Sequence, residues 1–227
     1  MGRCSWHHLQ GYNQLLIPGL FEGDQVVDIA RDLEHKLGLS GDDWKWKLTT
    51  TIINCDILNP GMSQVNFQNR DFTDILNDDM IPYLCKKLNK DNCGFDLFAK
   101  CRSLDEDFLQ GKYPIIIFGA MMMRVGANIK QEDLQYLREV ALATHSSPGY
   151  ACPFADQGFR DPGRAQFLAA LDHYQADVPR SFEQPSCFLC GQIQSDVGRV
   201  LQKCSRCKAA YYCGVVRIFS IVDISEI

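Results

Sequence analysis

Pro114-Ile115-Ile116-Ile117-Phe118-Gly119-Ala120-Met121-Met122-Met123-Arg124-Val125 reads as an almost unbroken apolar run. It falls short of the roughly 18 uncharged apolar residues that cross a bilayer. Pro114 suits the first turn of a helix, where its missing N–H would have had no partner in any case. The run therefore predicts a central buried helix in a bundle. Met121, Met122 and Met123 are read first as flexible core filler, with a soft methionine-rich binding surface as the sharper alternative.

Working outward, the flanking segments repeat their apolar residues at helical spacing. Upstream, Val26, Val27, Ile29, Ala30, Leu33 and Leu37 form one stripe, and Gly38 follows as a stop signal. The segment from Trp44 to Ile53 is balanced between helix and strand because of its β-branched threonines, and context favours helix. Phe72, Ile75, Leu76, Met80, Tyr83, Leu84 and Leu88 make another helical face, bent or interrupted near Pro82. A short helix is expected around Phe95 to Cys101, and Ser103 to Glu106 matches an S-x-x-E capping box that would open a helical turn. Downstream, Asn128 with Gln131 resembles a cap leading into Leu134, Leu137, Val140 and Ala141. A loop rich in Pro and Gly follows from about Ser146 to Asp161. Asp161 then serves as N-cap to Pro162, and Phe167, Leu168, Leu171 and Tyr174 supply a last buried stripe. With no alternating β-α rhythm, the fold class is mainly α: a helical bundle or stacked helix pairs, followed by a small cysteine-rich module. The predicted core includes Val27, Leu33, Leu76, Leu84, Ile116, Leu137 and Leu168.

Domain limits follow from these features. Residues 1–20 are an irregular lead-in, 21–177 the helical domain, 178–186 a linker with two prolines, 187–213 the cysteine-rich module and 214–227 an atypical tail. In the lead-in, His7 and His8 have no second ligand pair at a fixed spacing and are read as surface or packing residues.

The chain has 227 residues, a formal charge of −5 and 11 cysteines. That charge gives no electrostatic footprint for nucleic acid or anionic lipid. The N-terminus lacks a signal-peptide pattern. An intracellular protein, cytoplasmic or nuclear, with no membrane association is the expectation, with its thiols reduced. Cys4, Cys55, Cys85, Cys93, Cys101 and Cys152 are scattered singly and read as small hydrophobes.

The other five cysteines crowd together. Cys187-Phe188-Leu189-Cys190 and Cys204-Ser205-Arg206-Cys207 are two C-x-x-C knuckles separated by 13 residues. Two residues between cysteines let both sulfurs turn toward one tetrahedral ion, so paired knuckles point to Zn2+. A redox dithiol would use one such pair in a βαβ setting that is missing here. The third element, Lys208-Ala209-Ala210-Tyr211-Tyr212-Cys213, extends the pattern to C-x2-C, then C-x2-C-x4-Y-C.

Over these roughly 27 residues the chain resembles the MYND-type zinc finger. The resemblance implies eight ligands for two zinc ions, interleaved so that Cys187, Cys190 and Cys213 share one ion while Cys204 and Cys207 serve the other. The family's next cysteine, four residues after the Y-C cysteine, is Arg217 here, and no further His or Cys follows. Five cysteines cannot close two four-coordinate sites, so at most one zinc ion should be held tightly. It would be held either in the family's arrangement with water, or by collapse of the two knuckles into one four-cysteine site. The second arrangement closes the shell and is the expectation if the backbone can rearrange. The tail from about Gly214 reads as a splice-variant or read-through end, since Val216-Arg217 can be encoded by GTAAGA. The alternative is an apolar strand, Ile218 to Ile224, that covers the unfinished module.

MYND-type fingers present a small groove to proline-containing peptides, so the resemblance implies a zinc-binding protein-protein interaction adaptor. The family's groove also uses a Gln and an aromatic beyond the Y-C cysteine, which this chain lacks. The alternative is a helical scaffold with a vestigial finger. Nucleic acid is not expected as a partner: the module's local excess of three positive charges is accounted for by a zinc tetrathiolate's formal −2. No SET, facial-triad, nucleophile-elbow, P-loop or dinucleotide signature is present, and the chain is not expected to be an enzyme.

Overall fold

The computed structural model describes residues 24–39, 75–104, 112–144, 146–147, 159–182, 184–203 and 210–214, with isolated positions among 41–49 and at 205. The fold is mainly helical. In chain order the elements are α1 (Asp24–Leu37), a π-helical turn (Ile75–Met80), α2 (Ile81–Asn89), a 3-10 turn (Lys90–Asn92), α3 (Cys93–Leu104), α4 (Tyr113–Val125) and α5 (Gln131–Ala143). Strands β1 (Ser146–Ser147) and β2 (Phe159–Arg160), then α6 (Asp161–Asp172) and the short α7 (Gln194–Val197), lead to β3 (Gln202–Lys203) and β4 (Tyr211–Tyr212). β1 and β2 pair parallel, and β3 and β4 pair antiparallel. None of the described helices is long and apolar enough to cross a membrane.

The apolar run forms α4, and all 13 of its residues are buried. It packs against α1, α2, α3, α5 and α6 at once, which is why it has no polar face. The three methionines belong to this core, and the binding-surface alternative for them does not hold. Of the predicted core, Leu33, Leu84, Ile116 and Leu137 are buried, and Leu168 packs against the cluster partly exposed. The side chains of Val27 and Leu76 lie outside the described residues.

Helix ends show where local reading held. Gly38 has φ +78°, the left-handed conformation that stops α1. Pro82 sits in the first turn of α2, directly after the π-helical turn, so the interruption there is a change of helix type. Two expected caps are corrected. Ser103 is not an N-cap: it lies in the last turn of α3 and its hydroxyl donates to the Lys100 carbonyl at 2.7 Å, while the turn expected up to Glu106 lies outside the described residues. Asn128 does not cap α5, whose N-cap is Lys130 without a side-chain bond. The Asn128 N–H is taken instead by Asn89 Oδ1 at 2.7 Å, a tertiary contact that outweighs the local pattern. The readings of residues 45–46, 50–74 and 148–158, with the lead-in and the tail, fall outside the described residues, as does the side chain of Asp161.

The described residues of 178–186 form no helix and only the Ser186 bridge, and the segment is fastened to the helical body. Arg180 N–H donates to the Met123 carbonyl at 2.9 Å, Gln166 Nε2 donates to the Phe182 carbonyl at 2.9 Å, and Phe182 joins the main core. Gly126 ends α4 at φ +74°, and a Cβ there would come within 3.0 Å of the Pro179 nitrogen.

α4 meets α5 closely at Gly119. A Cβ on Gly119 would lie 2.6 Å from Leu137 Cδ1. Leu137→Ala should cost about 2 to 5 kcal/mol, and Gly119→Ala about 1 to 3 kcal/mol by overpacking. In chemical denaturation the double variant should be clearly more stable than the sum of the two losses, because the new methyl enters the vacated space.

A candidate metal centre docked on the helical body

The module begins where a bridge pairs Ser186 with Ile193 in antiparallel fashion. Cys187 N–H donates to the Gln192 carbonyl and Gly191 N–H to the Cys187 carbonyl, both at 2.8 Å, closing the first knuckle into a tight turn. Phe188 N–H reaches the Tyr211 carbonyl at 2.8 Å, which ties the knuckle to β4 and brings Cys213 alongside. Gly191 is required twice over. Its φ is +71°, and a Cβ there would lie 2.0 Å from the Ala165 carbonyl oxygen of α6.

Cys187, Cys190 and Cys213 thereby converge, with all three sulfurs within 4.8 Å of one another. Cys190 Sγ and Cys213 Sγ are 3.6 Å apart. That is too long for a disulfide near 2.05 Å, but close to the roughly 3.8 Å edge of a tetrahedron with ~2.3 Å metal–sulfur bonds. Cys187 is buried, Cys213 half-buried and Cys190 exposed. This is the trio that the family's interleaved arrangement assigns to one ion. Cys204 and Cys207 lie outside the described residues, in the connection between β3 and β4.

Two of the thiols are pushed in opposite directions. Burial pushes the Cys187 thiol up, but hydrogen bonds from the backbone N–H groups of Cys190, Cys213 and Leu189 outweigh it, and its pKa falls below the ordinary value. Cys190 is pushed up to about 12 by burial and by the neighbouring Cys187 and Cys213 sulfurs, against a backbone hydrogen bond from Gln192. One thiolate is favoured and a second beside it is opposed, an imbalance that a metal cation between the sulfurs removes. Three soft sulfur donors at this spacing could hold a metal ion, and thiolates favour soft or borderline metals such as Cu(I), zinc or iron over hard cations.

Sequence reasoning missed the polar chain that seats the knuckle on the body. Cys190 Sγ donates to Gln192 Oε1 at 3.4 Å, and Gln192 Nε2 lies 3.1 Å from His173 Nε2, one residue beyond the end of α6. His173 Nδ1 is 4.0 Å from Asp196 Oδ1. Asp196 also takes both terminal nitrogens of Arg180, one of them 2.7 Å from Oδ2, and the Ile193 N–H at 2.9 Å. Its side chain is 4% exposed and that of Arg180 is 10% exposed. Burial raises the Asp196 carboxyl pKa, but the Arg180 guanidinium and the Ile193 amide bring it below the usual range. The one local signal was Asp196 at the third position of a short helix.

The other described cysteines lie within the helical body, Cys101 buried and Cys85 and Cys93 half-buried. No protein-family model matches this chain significantly, and neither a curated protein nor a solved structure does.

Two outcomes follow from the site. Equilibrium dialysis should return at most one tightly held zinc ion per chain, and Cys187→Ser or Cys213→Ser should lower its affinity at least tenfold; two tight ions would overturn this ligand count. Asp196→Ala leaves the buried Arg180 without a counter-ion and should cost about 3 to 5 kcal/mol in thermal or chemical unfolding. Because the folded carboxyl pKa is depressed, this contribution is complete above the unfolded pKa of about 3.9 and is lost as pH falls through the lower folded value.

Proposed function

We propose that the chain is a zinc-binding interaction adaptor, in which zinc at Cys187, Cys190 and Cys213 braces a small MYND-like finger that receives a proline-containing segment of a protein partner. The observation that carries the zinc half is the convergence of three thiols from two separate stretches of chain. A bound zinc would supply the cation that lets those thiols ionise together, locking the first knuckle to β4.

The partner half draws on the resemblance and on the surface beside the site. A concavity of about 770 Å³ is lined by Pro185, Arg199, Val200, Leu201 and Tyr211 among others, and Val200 is 72% exposed. Proline-containing segments favour such places, because a pre-extended backbone loses little entropy on docking against an aromatic and an aliphatic wall. Val200 and Tyr211 supply that wall, and the Arg199 guanidinium can donate to the peptide's free carbonyls.

Fluorescence titration with an array of proline-containing peptides tests this reading on the full chain. Saturable binding is expected with zinc present, with loss on chelation and at least tenfold weakening in Val200→Asp. Zinc binding without any peptide binding would favour the helical scaffold with a vestigial finger.

A further inference from the structure

The cysteine module carries positive charge that its own carboxylates do not answer. Between Cys187 and Cys213 stand four cations, Arg199, Lys203, Arg206 and Lys208, and a single carboxylate, Asp196. That carboxylate faces inward: its side chain is 4% exposed and takes both terminal nitrogens of Arg180, which lies outside the module. We propose that the concavity lined by Pro185, Val200 and Tyr211 receives an acidic segment of the partner, whose carboxylates pair with Arg199 and Lys203 beside its docked prolines. The proposal rests on the peptide reading above and adds to it the charge of the partner.

Arg199 and Lys203 are placed for this. Among the described residues that line the concavity, Arg199 is the one with a charge. It is exposed and makes no ion pair or hydrogen bond among the described residues. Its guanidinium reaches just past the end of β4, since a Cβ on Gly214 would lie 3.3 Å from one terminal nitrogen. Lys203 is also exposed and stands opposite Tyr211 in the β3–β4 register, with its ammonium 5.6 Å from the centre of the Tyr211 ring. The aromatic wall therefore has one cation over its ring and a second beyond the end of its strand.

The metal site does not use up this charge. Zinc held by the thiolates of Cys187, Cys190 and Cys213 would carry a single formal negative charge, which falls short of four cations. Nucleic acid is the weaker match to what remains. Its phosphates favour a long basic stripe, whereas this face offers two described cations around an apolar wall, in a chain of net charge −5. An acidic segment with prolines fits both parts of the face, the wall taking its rings and the basic edge its carboxylates. Exposed ion pairs change affinity only a few-fold each, so the cations select the partner and speed its encounter while the apolar contacts hold it.

Fluorescence titration of the full chain with zinc present tests this, using matched sets of short proline-centred peptides whose flanking residues are aspartate, serine or lysine. At low salt the aspartate set should bind about tenfold more tightly than the serine set, and the lysine set should bind least. The gap should close as salt rises past about 0.15 M, where the Debye length is near 8 Å. Arg199→Glu should weaken the aspartate set about tenfold and strengthen the lysine set, a reversal that loss of structure does not produce, and Lys203→Glu should act in the same direction. Equal affinities across the sets, or an unchanged order in Arg199→Glu, would overturn the proposal and leave the proline reading standing. Single-stranded RNA that displaces the aspartate set and binds more tightly than it does would also overturn it, in favour of nucleic acid. A chain that binds none of the sets would sink the peptide reading beneath it.

Discussion

Everything in this molecule is arranged around a helix with no face toward water. Burying all of Tyr113–Val125 requires neighbours on every side, and it also requires partners for the carbonyls at the helix's C-terminal end. Gly126 N–H and Ala127 N–H satisfy part of that need, and Arg180 N–H, from 54 residues further along the chain, donates to Met123 as well. Capping α4 therefore draws residues 177–182 against the body. A stretch whose prolines and polar residues read as a tether becomes part of the helical core, with Phe182 as its anchor.

That constraint sets where the cysteine module can sit. Residues just after Phe182 enter the first knuckle, and Gly191 comes so close to α6 that no side chain would fit between them. The Arg180–Asp196 pair then fixes the register of finger against body. A buried pair of this kind adds little net stability over apolar packing, because both ions give up water to form it. Its effect is positional: only one placement of Asp196 satisfies the guanidinium, the Ile193 amide and His173 together.

The helices were legible because apolar periodicity is a local property: α1 and α4 are set by residues that lie within a few turns of one another. Ser103 and Asn128 were misread for the converse reason. Each carries a cap-like pattern, but the Asn128 amide is claimed by Asn89 across the fold, and Ser103 falls inside a helix already under way. The Cys187–Cys190 knuckle was legible as a candidate ligand pair because knuckle geometry is also local, and the structure brings Cys213 beside it as a trio that could hold a metal ion. His173, Gln192 and Asp196 gave no such signal. Their meaning depends on α6 meeting the first knuckle, a contact that no spacing within either segment encodes.

The finger alone has little to hold it together. Its strands are two residues long, and among its described residues the buried apolar ones are few, Ile193, Leu201 and Ala210 among them. A module of that size cannot offset the entropy of ordering its own backbone, so its structure depends on metal, on docking, or on both. The two supports meet at Cys190, whose sulfur belongs to the thiol trio and whose neighbour Gln192 touches α6's end at His173. Linkage then makes them reciprocal: whatever free energy docking adds to metal affinity, metal binding adds to docking. The helical body thus supplies, through Gly191 and the Arg180–Asp196 pair, order that so small a module does not supply for itself.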